Sequence, residues 1–209
     1  LYLGEQGYRC VLVDLRGHGQ STGNWISYGS VETSDLKLLI DDLQHRGLAD
    51  DSVGVLGVSY GASIGLLLAA QDSRVVSLVA LEPFSDAGEA VTEYVRSNFK
   101  TMAAKLTDED FSFALNRAQR LGQFSWEDAD VKQATKLLKI PVLFYHGDRD
   151  DWIPPRHSRE LAALAPDGSR LVIVPGDNHL MLSMRLDPIA TEVAAWFDEH
   201  LRGNTGRDS

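Results

Sequence analysis

The sequence predicts an α/β protein: a mostly parallel sheet with helices on both faces. Three observations predict it. Apolar runs of strand length alternate with runs of helical spacing over most of the chain. Those runs are continuously apolar, which is the pattern of strands buried on both faces. Three of them end in loops that carry, in chain order, a serine, an acid and a histidine.

The elements follow in order. Residues 1–8 (LYLGEQGY) read as the end of a helix entering a strand, and the chain starts at Leu1 without a methionine. Residues 8–15 (YRCVLVDL) are an apolar run closed by Asp14, which predicts a buried strand and puts Cys10 in the core. Residues 35–46 place Leu36, Leu39, Ile40 and Leu43 on one helical face, with Gly47 as the stop. Residues 53–58 (VGVLGV) predict a strand, residues 62–71 (ASIGLLLAAQ) a buried helix and residues 74–81 (RVVSLVAL) another strand.

Alternation then breaks. Residues 83–139 hold three helical patterns in succession, at 86–106, 108–121 and 126–138, with Thr107 and Ser125 capping acidic first turns. Helices with no strand between them predict an inserted lid, not another layer on the sheet. A strand at 141–146, a helix at 156–164 and a strand at 170–174 follow. The last helix spans 183–201, with Leu186, Ile189, Val193, Trp196 and Phe197 spaced to dock. The expected organisation is a core from residues 1–82 and 140–202, a lid at 83–139 and a frayed tail at 203–209.

The stretch Gly57-Val58-Ser59-Tyr60-Gly61 joins a strand to a helix with a serine at the apex. A serine hydroxyl is a weak nucleophile and must be lifted from the backbone toward a base. A sharp strand-to-helix turn does so but crowds the positions two before and two after, where Gly57 and Gly61 stand. The helix start then supplies N–H groups and partial positive charge where an oxyanion would form, Tyr60 N–H first. An ordinary glycine-rich turn is the alternative on the pentapeptide alone. Two further loops leave strand ends: residues 147–154 (GDRDDWIP) and residues 175–179 (PGDNH). An acid and a histidine therefore end neighbouring strands.

Together these pieces resemble the α/β-hydrolase superfamily. The matching residues are 14–21 (DLRGHGQS), the Gly57–Gly61 turn, His146-Gly147-x-x-Asp150-x-x-Ile153-Pro154, and Gly176-x-x-His179. They lie in the family's order and cover nearly all the chain outside the lid. The Ser59-Tyr60 variant is similar to bacterial esterase-like and serine-peptidase-like branches without choosing between them. The resemblance implies that Ser59 is the nucleophile, His179 the general base and acid, and Asp150 the carboxylate that orients the imidazole. Asp148, Asp151 and Glu82 compete for the last role; Glu82 ends the preceding strand, where some members place the acid, and the motif favours Asp150. Structural places are implied for His18 and His146.

The implied activity is a serine hydrolase cleaving a carboxylic ester, thioester or amide through an acyl-enzyme. The alternatives are a peptidase or acyltransferase of the same fold, or a non-catalytic, truncated hydrolase scaffold. The family also has an earlier strand, between those expected at 8–15 and 53–58, whose loop gives a second oxyanion N–H. Nothing from Leu1 onward matches it, so the expectation is a fragment lacking its N-terminal strands.

Composition excludes some function classes. The 209 residues suit one domain with a sizeable core. A net charge of -10 argues against nucleic acid or an anionic membrane as partner, and no apolar run is long enough for a membrane span. The expected partner is a small-molecule acyl substrate. One cysteine precludes an internal disulfide and fits the cytoplasmic compartment expected here. No cofactor is expected. His45, His157 and His200 read as exposed, and no histidine pair has metal-ligand spacing with a carboxylate, so no metal is expected. Trp25 and Trp152 read as pocket-lining or core residues.

Overall fold

A computed structural model describes residues 2–184 and 187–202. The elements are α1 (Tyr2–Glu5), α2 (Glu32–His45), β1 (Val53–Val58), α3 (Tyr60–Gln71), β2 (Val75–Leu81), α4 (Ala87–Asn98), α5 (Lys100–Ala103), α6 (Asp108–Gly122), α7 (Val131–Leu137), β3 (Val142–Gly147), α8 (Arg156–Leu164), β4 (Arg170–Val174), α9 (His179–Met184) and α10 (Asp187–Phe197). A π-helical turn at Asp198–Arg202 follows. The four strands form one sheet in the order β1-β2-β3-β4, parallel throughout. All four carboxyl ends therefore lie on one rim.

The continuous apolar runs do bury both faces. Leu78, Ala80, Val142 and Phe144 pack on one side with Leu66 of α3 and Leu161 of α8. Val79, Leu81, Leu143 and Tyr145 pack on the other with Val193, Trp196 and Phe197. Burial of such side chains contributes roughly 1.5–3 kcal/mol each, so the sheet's centre is firmly held. Helix α3 has no polar stripe, and its first two turns are almost wholly buried. Among the described residues, no helix is long and apolar enough to cross a membrane.

The structure corrects the sequence at several places. Residues 8–15 are not a strand, and β1 pairs only with β2 among the described residues. An apolar run becomes a strand only where a neighbour takes its N–H and C=O groups. Here Leu12 is 97% exposed, and Cys10 is exposed too, not core. Arg9 donates to the carbonyls of Gly47 and Leu48, and Arg16 forms a bidentate pair with Asp35, so the segment is tethered near its ends but not packed.

Helices α4 to α7 fill the interval between β2 and β3. The expected helix at 86–106 is broken at Phe99. The Asn98 side chain there bonds the Tyr94 carbonyl, competing with the backbone ladder. Thr107 caps α6 in a reciprocal box with Asp110. Ser125 Oγ accepts the Glu127 N–H but starts no helix; Asp130 caps α7 instead, so the helix expected at 126–138 begins at Val131. The last predicted helix divides into α9 and α10. Ile189, Val193, Trp196 and Phe197 are buried, whereas Leu186 and residues 203–209 lie outside the described residues.

Candidate active site

Ser59 sits between β1 and α3 at φ 51° and ψ −115°. Left-handed φ is costly for a residue with a Cβ, and such strain persists only where the surroundings impose it. They do: Ser59 N–H bonds the Leu81 carbonyl at 2.7 Å, and a Cβ on Gly57 would lie 2.4 Å from the Gly61 carbonyl oxygen. The crowding is one-sided. A Cβ on Gly61 would meet nothing within 4 Å beyond its own helix, against the expectation for that position. Tyr60 opens α3, where N–H groups lack intrahelical acceptors.

The other two loops are laced together. Gly147 lies so close to Asp177 that a Cβ would stand 2.3 Å from the Asp177 carbonyl oxygen. Arg149 N–H bonds that same oxygen at 2.9 Å, and Asp148 Oδ1 accepts the Gly176 N–H at 2.7 Å. Asp148 thus shapes the turn, and Asp151 faces solvent. Asn178 Oδ1 caps α9, setting His179 at that helix's start.

Three of the residues singled out in the sequence meet. His179 Nε2 is 2.9 Å from Ser59 Oγ, and His179 Nδ1 is 2.6 Å from Asp150 Oδ2. Asp150 Oδ1 accepts N–H bonds from Trp152 and Ile153, and Oδ2 lies 3.2 Å from His146 Nε2. Burial alone would raise the Asp150 pKa, but His146 and His179 outweigh burial and hold it at about 2. His146 is itself buried and fixed by Ser158 Oγ and the Ile153 carbonyl.

Glu82, at the end of β2, is the fourth group at this rim. It has no exposed surface, its φ is 53°, and its Oε2 lies 3.6 Å from His179 Nδ1. Burial first, and then the Asp150 charge, push it up to about 9. Glu82, Asp150 and His179 bring ligand atoms within 4.8 Å of one another and are the described residues that could hold a metal ion. A cation on Nδ1 would displace the Asp150 hydrogen bond, so metal binding and the Ser59–His179–Asp150 chain compete for one atom.

Behind the turn, Glu32 is fully buried and accepts bonds from the N–H groups of Ser27 and Gly29, from Ser27 Oγ, and from Tyr60 Oη at 2.9 Å. Burial would raise Glu32, but these donors lower it below the usual carboxylate range. Burial and then Glu32 raise Tyr60 far above an ordinary phenol. Nothing in the sequence flagged this staple, because Ser27 and Glu32 lie in unremarkable polar surroundings.

A second serine–histidine–acid array runs from Ser85 through His157 to Glu93. Ser85 lines a cavity of about 610 Å³ with Ser112, Trp126 and Lys132. Its hydroxyl, however, donates to Glu160 at 2.7 Å, and its own N–H occupies His157 Nδ1 at 3.2 Å. That array ties the β2–α4 loop and α4 to α8, and lacks a serine free to give its proton to the imidazole. His157 is thus fully buried, not exposed; His45 is exposed, and His200 is half-buried against Trp196. Trp25 is 52% exposed, while Trp152 packs its ring 5.3 Å from that of His179.

The architecture has counterparts among solved structures. The Pyrococcus furiosus esterase Pf2001 superposes over 96% of this chain and 74% of its own, with a TM-score of 0.72 at 20% identity. The chain has the α/β-hydrolase fold. Residues 3–99 match the family model described as X-Pro dipeptidyl-peptidase (S15 family). The Bacillus subtilis protein YqkD is 30% identical over 182 residues, covering 84% of this chain and 57% of its own length. The B. subtilis peptidase YuxL is 25% identical over 223 residues, covering 95% of this chain and 31% of its own. The chain thus spans little more than half of the relative YqkD.

Proposed function

We propose that the protein is a serine hydrolase that cleaves a carboxylic ester through an acyl-enzyme. The observation that carries this is the unbroken chain Ser59 Oγ, His179 Nε2, His179 Nδ1, Asp150 Oδ2 with links of 2.9 and 2.6 Å. Ser59 Oγ attacks the acyl carbon as its proton passes to His179 Nε2. The tetrahedral oxyanion takes the Tyr60 N–H. Collapse breaks the acyl–oxygen bond, and Nε2 returns the proton to the departing alcohol. Water then repeats the sequence on the acyl-serine, giving a carboxylic acid and free Ser59. Asp150, ionised at neutral pH, fixes the tautomer and stabilises the imidazolium.

Apolar surface beside the site supports an acyl chain or aromatic group as the substrate's body. Trp152 contacts Tyr94 at 5.5 Å and Tyr94 contacts Phe99 at 6.3 Å, a row leading from His179 onto α4 and α5. Phe99 and Met102 are each about half exposed. In this proposal residues 83–139 are a lid, whose inner face this row begins. The family match over residues 3–99 favours a second reading, cleavage of a peptide bond by the same residues.

A fluorophosphonate probe tests the mechanism. It is expected to label Ser59, with labelling abolished in His179→Ala; an unlabelled wild-type protein ends the hydrolase proposal. Nitrophenyl esters are expected to turn over faster than aminoacyl anilides, and the reverse order selects the peptidase reading.

A further inference from the structure

Each strand delivers one side chain to the same rim: Ser59 after β1, Glu82 after β2, Asp150 after β3 and His179 after β4. The proposed mechanism uses three. Glu82 is the fully buried exception: its carboxyl oxygens make no hydrogen bond of good geometry, and the Gly147 N–H is the one backbone donor that acts to lower its pKa. A buried carboxyl without a well-formed hydrogen bond is costly, and a non-glycine residue at φ 53° adds strain. Both costs are borne beside the imidazole.

Asp150 is fully committed as an anion, by two N–H bonds on Oδ1 and by His179 on Oδ2. Two carboxylates this close resist ionising together, so the proton stays on Glu82. The other titratable groups facing Glu82 are His179 and Asp177 from the β4 loop, with His146 behind Asp150. Its Oε2 is 3.6 Å from Nδ1 where Asp150 is at 2.6 Å, a difference of about 1 Å that a side-chain rotation covers.

We propose that Glu82 is a positioning residue for His179: a reserve acid, neutral while Asp150 is ionised, that takes the Nδ1 proton's bond when the Asp150 charge is removed. The proposal rests on Ser59 and His179 being nucleophile and base. It makes the site self-compensating. Removing the Asp150 charge removes one of the two causes that keep Glu82 protonated, burial being the other, and an imidazolium at His179 then favours the Glu82 anion.

The test measures fluorophosphonate labelling of Ser59 in the intact protein from pH 6 to 10, for wild type, Glu82→Gln, Asp150→Asn and the double variant. Asp150→Asn is expected to lose about 10²-fold and the double variant about 10⁴-fold, the size of effect seen when a triad loses its acid. Equal losses in those two overturn the proposal. A second measurement needs no chemistry at Ser59. The ring nitrogen shifts of His179, followed by NMR, are expected to show a step near pH 9 in wild type and none in Glu82→Gln; a wild-type titration without that step overturns it. Absent labelling in wild type removes the hydrolase mechanism, while the ring titration still decides the role of Glu82.

Discussion

Two parts of this chain contrast sharply: the rim where the strands end, and residues 8–25. Both were promising in the sequence, the first through short loop motifs and the second through a run as apolar as any strand. At the rim, short contacts fix each piece: Gly57 against Gly61, Gly147 against Asp177, Asp148 on the Gly176 N–H. In the N-terminal stretch Leu12 is 97% exposed while Leu78 of β2 is fully buried. Apolar composition supplies a tendency to be buried, but backbone pairing decides whether a run becomes a strand. Loop motifs, by contrast, are held here by short backbone contacts to neighbouring loops and strands.

The largest effect that would sharpen this contrast is on chemistry alone. Under the proposed mechanism Ser59→Ala is expected to cut turnover by about 10⁴–10⁶-fold, with the thermal midpoint shifted by no more than about 2 °C. Turnover assays and a thermal scan read the two halves of that statement. Next come the two glycines of the turn. Gly57→Ala is expected to cost about 3 kcal/mol in denaturant unfolding, since its Cβ meets backbone at 2.4 Å. Gly61→Ala changes stability by at most about 1 kcal/mol, because its Cβ finds open space. Equal costs would break the one-sided account of the turn.

Glu82 gives a pH-dependent prediction. Its pKa rises on folding from 4.5 to about 9, so the folded state keeps a proton that the unfolded state releases. The proton-linked penalty is therefore absent below about pH 4.5, and stability is lost as pH rises from there through about 9. Glu82→Gln is expected to gain on wild type across that window in thermal scans, and a difference constant with pH counts against a protonated Glu82. The smallest effect belongs to the exposed region: Leu12→Ser is expected to change stability by under about 0.5 kcal/mol. A loss beyond about 2 kcal/mol would mean that Leu12 is packed, which would erase the contrast.

Much of this was legible from residues. β4 and α8 fall where the pattern puts them, and β2 and β3 begin or end within a residue, because buried parallel strands announce themselves by uninterrupted apolar side chains. The loops bearing Ser59, Asp150 and His179 were found from spacing after strand ends. Other features were hidden because they depend on partners remote in sequence. His157 looked exposed on a polar helix, yet Ser85 and Glu93 close over it. The Glu32–Tyr60 bond spans 28 positions with no local signature. Periodicity likewise gave no sign that the helix breaks at Phe99.

That Glu32 staple has a mechanical corollary. The residue following the serine is bolted by its phenol to Glu32, and Glu32 is laced by its own oxygens to Ser27 and Gly29, beyond the exposed residues 9–14. The Tyr60 side chain is thus anchored outside the sheet. A displacement of residues 27–32 is therefore passed to the residue next to Ser59.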